Sequence, residues 1–326
     1  IWRGRSLRDL TGALHFGRRQ ACRHASLLHP DVPTRAVRSN EATPIGDADA
    51  AFAAAWRFAC MGHPDALAAF ESAWHAAAGR TELQAEVAAS AIVFTHLQFT
   101  TYAELPRWTQ RMALHGAGTA GLMTAAASLV PAIRGLATVP EGSAEVEARI
   151  ADVRAVEDPD RALAAAIVVH EFADLFAEDR DYVRVEAAGS RVEPRASPFL
   201  RFAWWCGRAQ HAFHRARYDE AQALYERAAE FVDVPESFTT RRDLLCDLAQ
   251  LALGRGDVAA AGAMLEEIGP ADLARPAARS AFAEILRARV AALEGRFEAA
   301  KRHARLAEAI GREVAYNAFP MCLQVE

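Results

Sequence analysis

The residues best able to do chemistry lie between positions 170 and 214. His170-Glu171-Phe172-Ala173-Asp174 begins like the helical zinc motif in which two His, four apart, hold the metal and a Glu serves as general base. Asp174 stands where the second His is required, so the stretch reads as the polar stripe of a helix with a buried face. Cys206, His211 and His214 form a second cluster. A spacing of three puts both His on one side of a helix, while a spacing of five leaves Cys206 off that side. Cys246 is the one further Cys or His within reach as another zinc ligand, so the cluster reads as buried Cys and groove-lining His. No metal and no cofactor is expected. Glu178-Asp179-Arg180-Asp181 reads as a solvated stretch between helices.

Other chemistries are limited by composition. Of 37 basic residues, Lys301 is the one lysine, and no Gly-rich loop precedes it. A P-loop, a kinase-type ATP lysine and a Schiff-base enzyme are therefore not expected. No GxSxG elbow occurs. No catalytic residue is assigned, and the chain is not expected to be an enzyme. The adjacent pair Trp204-Trp205 is the most concentrated aromatic feature. Neighbours on a helix point about 100° apart, so Trp205 is placed in the core and Trp204 on a second packing face.

The elements that position these residues are helices. The chain has 326 residues, 52% hydrophobic and 24% charged, enough for a packed core. Residues 1–45 carry eight Arg and three acids without clear periodicity, and read as an irregular Arg-rich segment. The remaining chain is net negative, which disfavours general phosphate-backbone binding. Cys22, Cys60, Cys206, Cys246 and Cys322 are odd in number and far apart, as expected in a reducing compartment. The longest wholly apolar run, Ala162–Val169, is far short of the ~20 residues of a membrane span. A cytoplasmic location is expected.

From residue 46 to 326 apolar stripes recur at helical spacing, broken by Gly and Pro. Ala216-Arg217-Tyr218-Asp219-Glu220-Ala221, Gly256-Asp257-Val258-Ala259-Ala260-Ala261 and Gly295-Arg296-Phe297-Glu298-Ala299-Ala300 align as small–x–large–x–x–Ala turns. Anchors at Ala66, Leu105, Ala144, Val185, Ala221, Ala261 and Ala300 fall 36 to 41 residues apart. Twelve residues before each anchor lie Ala54, Val93, Ala132, Ala173, Ala209, Ala249 and Ala288. Ala fills 75 of 326 positions, so six Ala out of seven exceeds what composition gives. Two antiparallel helices cross closely where side chains are small. The large residue after each turn, Tyr102, Tyr182, Tyr218, Val258 or Phe297, is expected to plug the gap to the next pair. The fold read from this pattern is all-α: an α-solenoid of about seven helical hairpins with a period near 40 residues. Glu313–Glu326 reads as the first helix of an eighth hairpin, and the natural protein is expected to continue beyond it.

These turns, with Ala again seven after the anchor at Ala228 and Ala307, resemble tetratricopeptide repeats. The long period resembles the helical-repeat region of large bacterial transcriptional regulators, the ATP-binding LuxR-type activators and the bacterial transcriptional activator-domain proteins. Ala69–Trp108 is the best single match. The resemblance implies a non-catalytic sensing module, with any ATP- or DNA-binding module outside this chain. A free-standing scaffold for protein partners is the alternative. In the family the first helices line the concave surface. Register places Asp174, Gln210, His214, Asp243 and Gln250 there, where they would receive a peptide, protein or small-molecule effector.

Overall fold

The computed structural model describes residues 48–316 apart from 100, 116–120, 135–136, 138–139, 240 and 269–276. The Arg-rich segment 1–45, Cys22, Cys322 and residues 317–326 of the expected Glu313–Glu326 helix lie outside the described residues. Among those described there are fourteen α-helices and no strand, and the helices pack in neighbouring pairs. The pairs are α1 (Ala48–Cys60) with α2 (Ala66–Ala76), α3 (Thr81–Leu97) with α4 (Leu105–His115), and α5 (Leu122–Ile133) with α6 (Gly142–Ala155). They continue with α7 (Pro159–Phe176) and α8 (Asp179–Val192), then α9 (Pro198–His214) and α10 (Tyr218–Ala228). The last are α11 (Arg241–Gly254) with α12 (Val258–Glu267), and α13 (Ala278–Leu293) with α14 (Phe297–Glu313). The pair α5/α6 is the loosest, because α6 leans onto α7 and α8. No described helix is long and apolar enough to cross a membrane.

Small residues set the close crossings. The anchors Ala66, Leu105, Val185, Ala221, Ala261 and Ala300 are all buried, as are Val93, Ala132, Ala173, Ala209, Ala249 and Ala288. Two positions depart from the expected register: Ala54 is half-buried and Ala144 is exposed. At Ala144 the reason is the lean of α6, whose buried face is Val146, Ile150 and Val153. Tyr102 and Tyr182 are buried plugs, and Tyr218 and Val258 are half-buried. Phe297 is 63% exposed, since no described helix pair follows it.

The first helices form an inner layer and the second helices an outer one. α3 is buried from Val87 through His96 and α7 from Ala162 through His170, the signature of helices covered on all sides. By contrast α4 buries only Leu105 and Trp108, and α14 only Ala300, Ala307 and Gly311. The ends of α7 and α12 show why these helices start where they do. Asp158 accepts from the backbone N–H groups of Asp160 and Arg161 with Pro159 at the first helical position, and Asp257 accepts from Ala260.

The layer curls back on itself. The backbone N–H of Tyr102 donates to the carbonyl of Val314 at 2.8 Å, and that of Arg279 to Phe99 at 3.2 Å. The N–H of Phe238, before α11, donates to Met61 in the first turn at 2.7 Å. Phe199, at the start of α9, stacks on Phe94 of α3 with ring centroids 6.4 Å apart. Its ring lies so close to Gly62 that a Cβ there would sit 2.7 Å from Phe199 Cδ2, and Gly62 also has φ +68°. Glycine satisfies both demands at once. Phe99 and Trp205 pack against both of the large core clusters and join them.

Candidate functional site

The inner layer lines a half-open cavity of roughly 250 Å³. Every helix that lines it is a first helix: α3, α7, α9, α11 and α13 each send side chains in. Arg134, just past α5, and Tyr316, past α14, complete the wall. The apolar part is Phe99, Phe199, Phe202, Phe282 and Ile167.

Two charged clusters face each other across the aromatic seam. In the first, His96 bridges Arg134 and Glu171. Its Nδ1 accepts from Arg134 Nε at 3.1 Å, and its Nε2 lies 2.8 Å from Glu171 Oε2. This pairing fits the neutral ring with the proton on Nε2. Burial, outweighing the attraction of Glu171, holds the imidazole below its usual range. Desolvation opposes ionisation of Glu171, but His96 and Arg134 outweigh it and hold the carboxyl down to about 2. In the second cluster Arg279 Nη1 donates to Asp247 Oδ1 at 3.0 Å, and its Nε lies 3.6 Å from Asp243. Asp247 is fully buried, and burial pushes its carboxyl above the usual range despite Arg279. Arg279 stays a cation, because Asp247 and Asp243 offset its burial.

Phe99 sits between the clusters. The guanidinium carbon of Arg279 lies 4.8 Å from its ring centroid and that of Arg134 lies 6.0 Å away. Arg134 also stacks on Tyr102 at 4.5 Å, and Tyr316 meets Phe99 edge-on at 5.3 Å. Phe99 has φ +51°, a left-handed conformation that costs a bulky residue of order 1–3 kcal/mol and persists only when its surroundings hold it.

No protein-family model, curated protein or solved structure matches the chain.

Of the five side chains expected on the concave face, Gln210, His214 and Gln250 line the cavity. Asp174 does not. Its Oδ1 lies 2.6 Å from His211 Nδ1 and 2.7 Å from Arg215 Nη1. Burial opposes its ionisation, but hydrogen bonds from His211, His214 and Arg215 hold its carboxyl well below the usual range. Asp243 stands behind the wall, against Arg279. Gln210 Nε2 reaches Asp247 Oδ1 at 3.5 Å.

The zinc-like stretch dissolves into two roles. His170 is buried against Tyr182 and Trp204, and burial pushes its imidazole down to about 3. Glu171, one position on, faces the cavity. Cys60, Cys206 and Cys246 are buried free thiols. Among the described residues no group of three or more His, Cys, Asp and Glu side chains could hold a metal. Trp204 is the buried core tryptophan, and Trp205 is the half-buried one, reversing the expected burial of Trp205. Trp205 Nε1 donates to Glu193 at 3.0 Å and its ring carries Arg208 at 4.6 Å, which explains why it stays near the surface. Glu178–Asp181 is also more ordered than expected. α8 starts at Asp179, and buried Asp181 accepts from Ser143 Oγ at 2.6 Å.

His96, Phe99, Arg134 and Arg279 are not reached from the sequence, and Glu171 only as part of the zinc-like stretch. A signal existed for two of them. His96 and Glu171 each follow a long apolar run, Ala88–Phe94 interrupted by Ser90 and Ala162–Val169, and a charged or polar group inside such a face needs a partner.

Proposed function

We propose that this chain is a tetratricopeptide-like α-solenoid that acts as the ligand-sensing region of a bacterial transcriptional regulator, working in the cytoplasm. The carrying observation is the cavity lined by the first helices of successive pairs. Curling of the inner layer leaves a half-open pocket of roughly 250 Å³, of a size for a small effector and too small for an extended peptide. Gln210, His214 and Gln250 supply polar contacts on one wall, and the Phe side chains supply apolar surface. Occupancy would bias the curvature of the array, because the contacts that close it run through Phe99 and Arg279.

A binding role fits better than turnover. The nucleophile on the wall, Cys206, has its thiol pushed well above the usual range by burial and by Asp247, so it stays protonated. Two experiments test the reading. Gln210→Ala with Gln250→Ala should weaken effector binding at least tenfold while helix content is kept; unchanged affinity would remove the cavity assignment. Sequencing the DNA that flanks the coding region should reveal an in-frame nucleotide- or DNA-binding module. Stop codons close to both ends would overturn the regulator role.

A further inference from the structure

The ligand class can be read from the donors and acceptors of the same cavity, and this inference rests on the binding role above. We propose that the cavity takes a small aromatic carboxylate, its ring against Phe99, Phe282 and Tyr316 and its anionic group toward Arg134 and Arg279.

The first argument is the imbalance of hydrogen-bonding groups. A guanidinium carries five N–H donors in a fixed fork. Arg134 directs Nε and Nη2 at His96, and Arg279 directs Nη1 at Asp247. The Nε of Arg279 is buried 3.6 Å from Asp243 and is not offered to the cavity, which leaves Nη2 of Arg279 and Nη1 of Arg134 as the donors outside these contacts. Both side chains therefore bring more donors to the wall than these bonds use. Gln210 and Gln250 each add an amide with both donors and an acceptor, so they do not tilt the balance. Charged acceptors at the cavity surface are fewer than charged donors. Glu171 is the one carboxylate among the described lining residues, and it already holds His96 and Arg134. Asp247, the other strong acceptor, is wholly buried behind Arg279. Asp243 and Asp247, the latter with an Oδ2 that has no hydrogen-bond partner, stand behind Arg279 and do not line the cavity. A cationic ligand would therefore meet two guanidiniums at the wall and only the paired Glu171, whereas a carboxylate meets planar, charge-matched partners.

The second argument is shape. An engineered cavity of about 150 Å³ admits a benzene ring. Roughly 250 Å³ leaves room for one ring and a short acidic arm. The apolar wall is aromatic on several sides, so a flat ring gains offset or edge contacts beyond simple burial. Phe99 is presented between the two guanidiniums by the left-handed turn after α3, φ +51°, the same turn conformation that Ala216, Gly256 and Gly295 adopt after other first helices.

The test uses the full chain in thermal unfolding and titration calorimetry at low salt. The probes are benzoate, phenylacetate and 3-phenylpropionate, each beside its neutral amide and its amine. The expected result is that at least one acid raises the unfolding midpoint by about 2–4 °C at saturation. Its amide and amine should bind at least tenfold more weakly. Arg134→Gln and Arg279→Gln should each cost the acid at least tenfold in affinity. Arg279→Gln also loosens the ring closure, so Arg134→Gln and the acid–amide–amine ranking in the native chain stand as the independent readouts. Amides or amines that bind as tightly as the acids, and lose affinity in Phe282→Ala, would leave the cavity as a receptor and overturn the anion assignment. Absence of binding by every compound would overturn the anion assignment and count against the receptor role together.

Discussion

Arg279 meets Phe99 twice. Its backbone N–H donates to the Phe99 carbonyl at 3.2 Å, and its guanidinium lies 4.8 Å from the Phe99 ring centroid. One residue pair thus ties the loop after α3 to the start of α13 and forms part of the cavity wall. Closure of the inner layer and the chemistry of the site meet at the same two residues, the first through their backbones and the second through their side chains.

The backbone of Phe99 gives a prediction with an unusual order. Glycine destabilises most positions relative to alanine, but at φ +51° alanine is strained and glycine is not. Phe99→Ala and Phe99→Gly lose the same ring. Phe99→Gly should nonetheless be the more stable variant by about 1 kcal/mol. Urea unfolding of both checks the order; the reverse would mean that the loop relaxes to an ordinary conformation.

In the Arg279–Asp247 pair Asp247 is wholly buried, and the Arg279 side chain is 13% exposed at the cavity wall. Removing one member strands the other, at about 3–5 kcal/mol. Arg279→Met should therefore be strongly destabilising. Adding Asp247→Leu should recover a large share of that loss, because the stranded carboxylate goes too. A double-mutant cycle with no recovery would show that Arg279 acts mainly through Phe99 and Asp243.

Acid should weaken the fold in two stages. The His170 imidazole is held down to about 3 by burial, and the Glu171 carboxyl down to about 2 against its own desolvation by His96 and Arg134. Both folded values lie below the ordinary ones, so the unfolded chain binds protons first as pH falls. The stability these groups contribute is present at neutral pH. It declines from about pH 6.5 for His170 and from about 4.5 for Glu171. Between those values His170 should add a slope of about 1.4 kcal/mol per pH unit. His170→Phe should flatten it, as read from unfolding free energies between pH 7 and about pH 4.5. An unchanged slope would place the titration elsewhere.

The repeat register makes its own prediction. Ala209 is fully buried where α9 crosses its neighbours, and Ala144 is exposed on α6. Ala209→Leu should cost about 1–3 kcal/mol through overpacking, and Ala144→Leu should stay within about 0.5 kcal/mol. Equal effects would mean that the crossing at Ala209 yields.

The helices and their pairing were legible because they rest on local signals. Ala at the crossing, a large residue after the turn and Gly or Pro in the breaks all act within one pair. Ala144 misled because its anchor came from spacing alone, while the lean of α6 depends on α7 and α8. Gln210 and Gln250 reach the cavity wall because they hold equivalent positions on successive first helices, and His214 lies one turn beyond Gln210 on the same face. Asp174 and Asp243 share it too, but neighbouring His211, Arg215 and Arg279 claim their carboxylates. The Phe99–Arg279 contact was not legible. It depends on curvature summed over several pairs, and no residue pattern near either position records that sum.

The most direct measurement is a crystal structure of the full chain with phenylacetate at saturating concentration. The account predicts the acid inside the central cavity, its ring against Phe99 and Phe282 and its carboxylate within hydrogen-bond reach of Arg134 or Arg279. An empty cavity, or the acid bound only on the outer helices, would contradict it.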